Sequence, residues 1–273
     1  MGKQKGGSAQ LAVVISDIHC GSEVALSPPF HSTRAGNSVT FGENHHQKWL
    51  WECWAAAILK VQSIIAHDQA ILILNGDAIE GCHHRNNAEL VEQEKLRQTE
   101  MAQTCLLPFL KLCRQRYVVK GTECHTEDFE NHLAREIRAV GNKARDKWLI
   151  EVNGTLIDAA HHMGVTSRAY LEASLMSIHM GNARLNYARC GMRIPQVFLR
   201  GHRHCGGHFS DMEGMFVVTG AWQFLTRHGF KVVTDSIPRP SIAVLDWRGK
   251  EPGELPQIHE IKFDPPLPEI ARA

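Results

Sequence analysis

No stretch of this chain is long and apolar enough to serve as an export signal or a membrane span. The first apolar run, Leu11 to Ile15, is only a few residues and follows a Gly- and Lys-rich start. The eight cysteines contain no CxxC pair and lay out no disulfide framework for 273 residues. Free thiols in a reducing, cytoplasmic setting are therefore expected. Strong charge of either sign is also lacking: the formal net charge is +1. That argues against non-specific electrostatic binding to nucleic acid, although a local basic groove stays compatible with it. Internal repeats and low-complexity tracts are missing too, which excludes a solenoid or a linker protein.

Histidine is abundant instead, with 17 copies, many of them in pairs or in short polar loops. Imidazole is both a common metal ligand and a proton carrier near neutral pH. The 43% hydrophobic and 22% charged content suits a globular domain large enough for a full core. Residues 1–10 are expected to be a disordered tail, 11–263 a single domain, and 264–273 a Pro-rich surface tail.

Short apolar runs at Leu11–Ser16, Ile71–Leu74 and Tyr117–Lys120 predict buried strands. Trp51, Trp54, Ala55, Ile58, Val61 and Ile65 predict an amphipathic helix across 47–66. The tryptophans Trp49, Trp51 and Trp54, at helical spacing, belong to a core rather than to a stacking platform. Further helices are predicted over Asn87–Cys113, broken near Pro108, over Glu127–Val140, and over Thr166–Arg189 with Gly181 as an interruption. The arginines Arg168, Arg184, Arg189 and Arg193 read as a solvated face. Asn153-Gly154 predicts a hairpin between Trp148–Val152 and Thr155–Ala160. Beyond Pro195 strands dominate, at Gln196–Arg200, Gly207–Ser210, Met215–Thr219, Ser241–Asp246 and Ile258–Phe263. Residues 27–45 read as a long loop. The fold class is α/β, with mixed sheets flanked by helices.

Polar residues collect where the strands end, which is where α/β folds bind ligands. Four loops read Asp17-Ile18-His19, Gly76-Asp77, Gly121-Thr122-Glu123-Cys124-His125 and Gly201-His202-Arg203-His204, and His161-His162 ends a further strand. Each alone is a weak signal and has an ordinary reading as a helix cap or a surface histidine. The ordered set is specific. Asp and His together suit divalent Mn, Fe or Zn.

In that order, DxH, GD, a Gly-polar-His loop, His and GHxH, the chain resembles the calcineurin-like metallophosphoesterases, in a variant similar to those of phage and prophage genomes. The resemblance covers Leu11 to about His204. It implies a four-layer αββα sandwich with two divalent metals, and P–O cleavage by a metal-bound hydroxide. By that match Asp17, His19 and His204 hold one metal and Asp77 bridges both. His202, one of His161 and His162, and a residue of the Gly121 loop complete the second. Mn is the expected metal pair, with Fe, Zn, Ni and Co as alternatives.

The chain departs from the family pattern at Gly-Asn-His-Glu/Asp, where it has Gly-Thr-Glu-Cys-His. Either Glu123 replaces the Asn ligand and His125 keeps the catalytic imidazole, or Thr122 takes the ligand position. Carboxylate is the better ligand, which favours Glu123. A third carboxylate would leave the site one unit less positive and favour monoanionic diesters over dianionic monoesters. No Arg follows the GD loop as it does in the family's protein phosphatases; His83, His84 and Arg85 are there instead, as candidate substrate contacts. The expected function is a phosphodiesterase acting on a nucleotide or nucleic-acid phosphodiester. The alternatives are a phosphomonoesterase and a non-catalytic scaffold.

Overall fold

The computed structural model describes residues 9–32, 38–40, 44–83, 86–164, 171–232 and 237–265. The elements of the first half are β1 (Leu11–Ile15), β2 (Phe30–Ser32), β3 (Ser38–Thr40), α1 (His45–Ile65), β4 (Ala70–Asn75), α2 (Lys95–Leu112), β5 (Cys113–Val119), α3 (Glu123–Thr126) and α4 (Phe129–Glu136). They are followed by β6 (Lys147–Val152), β7 (Thr155–Ala160), α5 (Glu172–Arg189), β8 (Val197–Arg200), β9 (Gly207–Ser210) and β10 (Met215–Val218). The last three are α6 (Arg227–Val232), β11 (Ser241–Asp246) and β12 (Gln257–Lys262).

Two five-stranded sheets have the orders β12-β11-β1-β4-β5 and β6-β7-β8-β10-β9. Each is mixed: β1, β4 and β5 run parallel, as do β7, β8 and β10, and antiparallel strands complete both sheets. The period of two along each strand sorts side chains between cores. In β1, Leu11, Val13 and Ile15 meet Leu50, Trp54, Met101, Phe109 and Leu133 from α1, α2 and α4. The intervening Ala12 and Val14 pack between the sheets with Ile157, Leu199 and Val217. On the far side, Phe198, Phe216 and Val218 meet Met176 and Met180 of α5. The layers are thus helices, sheet, sheet, helix: the expected αββα sandwich. Strands buried on both faces read as continuous apolar runs, which is why alternation was invisible in the sequence.

Several elements differ from expectation. The helical stripe of α1 that enters the core is Leu50, Trp54, Ala57, Val61 and Ile65, while Ala55 is exposed. α2 runs through Pro108 to Leu112, because Leu106 and Phe109 on either side are fully buried. Lost donor and ring crowding near a helix end are outweighed there by packing. The strand expected from Tyr117 begins at Cys113, directly at the end of α2. The helix expected over Glu127–Val140 is shorter, α4 running from Phe129 to Glu136, and Glu127 at φ 44° parts it from the preceding single turn α3. α5 passes Gly181 without interruption, and the loop expected over 27–45 contains the β2–β3 hairpin. The Asn153-Gly154 hairpin is as expected, with φ 47° and 74°, as a type I′ turn requires. Most of the two expected tails lies outside the described residues, as do Arg168, His84 and Arg85. Among the described residues no helix is long and apolar enough to cross a membrane.

Candidate metal centre

Because β1, β4 and β5 are parallel, their carboxyl ends share one edge, and β7 and β8 deliver theirs beside it. The loops continue the strands' pairing: Asp17 N–H donates to Gly76 O at 3.0 Å and His19 N–H to Asp77 O at 3.0 Å. Each loop then turns sharply. Among the described residues ten non-glycine positions have positive φ, and five of them are Asp17, His19, Asp77, His202 and His204. Such backbone costs roughly 1–3 kcal/mol per residue and persists where the surroundings enforce it. Gly121 serves a different need, close approach: a Cβ there would sit 2.1 Å from Asp77 Oδ1.

The side chains so presented converge. Asp17, His19 and His204 form one group and Asp17, Asp77 and His161 another, with potential ligand atoms within 4.8 Å of each other in each. His161, His162 and His202 make a third. Asp77 lies between them: its Oδ2 is 2.9 Å from His161 Nε2 and 4.0 Å from His19 Nε2. Thr122 Oγ1 donates to the same Oδ2 at 3.0 Å and lies 3.2 Å from His202 Nδ1. Thr122 N–H donates to Asp77 Oδ1 at 2.6 Å.

A further layer of partners orients these groups. His161 Nδ1 is 2.7 Å from Asn75 O, so Nδ1 carries the hydrogen and Nε2 faces the cluster. His19 Nδ1 lies 2.9 Å from Glu80 Oε2 without completing a well-aligned hydrogen bond, and its buried Nε2 has no partner either. Orienting a ligand histidine through its other nitrogen is the usual second layer of a metal site. A buried orphan nitrogen facing two carboxylates is costly in a metal-free protein and is resolved by a cation. The donor set and this orphan both fit divalent metals.

The electrostatics of the bare cluster point the same way. Burial opposes ionisation of Asp17, yet His161, His19 and His204 hold its carboxyl down at about 2. Burial would lower His161, but Asp77 and Asp17 lift it to about 9. His204, partly buried and beside His19, falls to about 4 through desolvation and the His19 charge, despite Asp17.

The structure brings together Asp17, His19, Asp77, His161, His202 and His204, with the more exposed His162 beside them. It does not bring Glu123. That residue opens α3 with its side chain exposed, outside every cluster among the described residues, and it is Thr122, one residue earlier, whose hydroxyl bonds Asp77. The chain turns into a helix one residue too early for Glu123 to reach inward. His125 stands at the rim, its Nδ1 2.8 Å from Glu80 O and its ring 4.8 Å from His19. His83 packs against it at 4.2 Å.

Two carboxylates were missed. Glu80 is buried and bonds His19, His83 and Gln223. Glu130, also buried, accepts Gly121 N–H at 2.6 Å. Glu80 gave no pattern signal; Glu130 did, as a carboxylate in the apolar stripe Glu130, Leu133, Ala134, Ile137.

No protein-family model matches the sequence, and no curated protein matches it either. Among solved structures the chain is similar to zinc-complexed Vps29 from Entamoeba histolytica, at 14% identity over 93% of this chain and 98% of that one, with a TM-score of 0.45. It is similar to an archaeal phosphodiesterase at 12% identity over 93% and 99% of the two chains, TM-score 0.45. A predicted phosphoesterase from Streptococcus pneumoniae gives 13% identity over 92% and 97%, TM-score 0.36. Likenesses this distant carry no argument about activity, and function has to be read from the side chains themselves.

Proposed function

We propose that the chain is a dinuclear-metal phosphoesterase that prefers phosphodiesters. The observation that carries this is that two ligand groups share Asp17, while Asp77 Oδ2 stands between them, 2.9 Å from His161 Nε2 and 4.0 Å from the buried, unpartnered His19 Nε2. One divalent ion would be held by Asp17, His19, Asp77 and His204, the other by Asp77, Thr122, His161 and His202. Such ions lower the pKa of a coordinated water from 15.7 towards ~7 and neutralise phosphoryl oxygens.

The chain's own groups do the rest. Asp77 holds the two halves of the site together. The Asn75 carbonyl fixes the tautomer of His161, and Glu80 places its charge beside His19 Nδ1. His125 donates Nδ1–H to Glu80 O, which turns Nε2 towards phosphoryl charge; to protonate a leaving oxygen the ring must first take up a second proton at Nε2, which burial and the neighbouring His19 oppose. Oxygen and imidazole donors suit Mn, with Fe, Zn, Co and Ni as further candidates.

The charge argument that rested on Glu123 passes to Glu80, which places a third buried carboxylate against the cluster. One unit less positive charge disfavours a dianionic monoester more than a monoanionic diester. Nucleotide and nucleic-acid diesters are the natural class to test. After reconstitution with each metal, turnover of bis-p-nitrophenyl phosphate is expected to exceed that of p-nitrophenyl phosphate. Glu80→Gln, if both metals still bind, should move the kcat/KM ratio towards the monoester. A wild type that clearly prefers monoesters would refute the diester assignment.

A further inference from the structure

A cavity of about 300 Å³ lies under α5 on the outer face of the second sheet. Lys147, His179, Asn182, Asn186, Tyr187 and Arg200 line it, and it has no carboxylate in its lining. Arg200, the last residue of β8, is 2% exposed and projects to the face that carries Phe198 and Phe216. Its hydrogen bonds run through Nη1, to Asp158 O, Asp158 Oδ1 and Leu199 O. Its Nε is buried with no partner.

Asp158 cannot answer for that nitrogen. Its Oδ1 is taken by Arg200, and its Oδ2 receives Lys147 Nζ at 3.0 Å and Tyr187 Oη at 2.8 Å. Two cations thus face one carboxylate whose oxygens are both engaged, and positive charge is left over beside the opening. The guanidinium lies 6.0 and 5.7 Å from the Phe198 and Phe216 rings, and Nε, on the edge away from Asp158, makes no hydrogen bond. A guanidinium edge plus an ammonium is the arrangement that binds a tetrahedral oxyanion. Asn182 and Asn186, one helical turn apart on α5, add amide donors at the mouth.

We propose that this cavity binds the phosphate of a small phosphorylated molecule, at Arg200 and Lys147, separately from the metal centre. The cavity is much larger than one phosphate, so the organic part would occupy the space beside Tyr187 and the two asparagines.

Calorimetric titration of the chelator-treated full chain tests this without help from bound metal. AMP is expected to bind at one site per chain and adenosine not at all. AMP tighter than inorganic phosphate would mark an organic phosphate as ligand; equal affinity would mark free phosphate. Lys147→Gln and Ala183→Phe, the second of which fills the cavity wall, should each weaken AMP binding about tenfold or more. Asp77→Asn should leave it unchanged. The proposal is overturned if neither AMP nor phosphate binds, if both cavity variants bind as wild type does, or if Asp77→Asn removes the binding. Arg200→Lys is the sharper variant if it folds; the other two decide the question without it.

Discussion

Glu80 reaches three histidines by two routes: its carboxylate meets His19 Nδ1 and His83 Nε2, and its backbone carbonyl accepts from His125. The His125 side chain is thereby held at the rim with Nε2 free for substrate. His125→Ala should slow diesters with poor leaving groups by ~10²–10⁴-fold, and p-nitrophenyl diesters much less, since that leaving group needs little protonation. An equal loss on both would contradict a proton-donating role. Glu130 allows a test of stability. Burial, aided by the Asp77 charge, pushes its carboxyl from 4.5 up to about 7. The folded state therefore holds this proton more tightly than the unfolded chain. Its contribution is most favourable below pH 4.5, declines as pH rises to about 7, and is then constant at a cost on the order of 3 kcal/mol. In chelator-treated protein Glu130→Gln should match wild type below pH 4.5 and melt several degrees higher above pH 7. Equal melting at pH 8 would contradict it. Asp17, Asp77 and the histidines were legible because polar residues at strand ends stand out. Glu80 was not, because a buried carboxylate in a loop has no pattern around it.

The loops, as elements, are held by proximity as much as by hydrogen bonds. Gly121 lies where a Cβ would press on Asp77 Oδ1 and N at 2.1 and 2.3 Å. Gly121→Ala must separate the β4 and β5 loops, and is expected to cost ~1–3 kcal/mol of stability. Activity should fall by more than about a hundredfold, because a misplacement of that size in a catalytic cluster is costly. Gly181→Ala in α5 is the contrast, with nothing within 4 Å of the added carbon. It should raise stability by ~0.5–1 kcal/mol and leave turnover unchanged. If the two variants behave alike, close approach is not what Gly121 provides. The same contrast governs which elements could be read. Asn153-Gly154 announces its turn chemically, whereas α2 passes into β5 at Cys113 with no Gly or Pro to mark the boundary. Glu123 was misplaced for a related reason: α3 is a single turn, too short for periodicity to reveal, and it carries Glu123 outward.

At the scale of the molecule, two mixed sheets exist to bring five strand ends to one edge. The order of the motif loops made that legible through its resemblance to the metallophosphoesterase pattern, which implies loops converging at the mouth of two sheets. Which histidine of the pair faces Asp77 needed the structure, because neighbouring residues on a strand point to opposite sides. Five of the ten positive-φ residues other than glycine among the described residues lie in the loops that form the cluster, so costly backbone is concentrated at that one edge. The direct measurement is metal content per chain, with diester turnover, for wild type and Asp77→Asn reconstituted with Mn. Wild type should hold two equivalents and turn over bis-p-nitrophenyl phosphate, while the folded variant loses metal and activity together. A wild type that never holds two metals with any of Mn, Fe, Zn, Co or Ni, or a variant that keeps both at a near-normal rate, would contradict the shared role of Asp77.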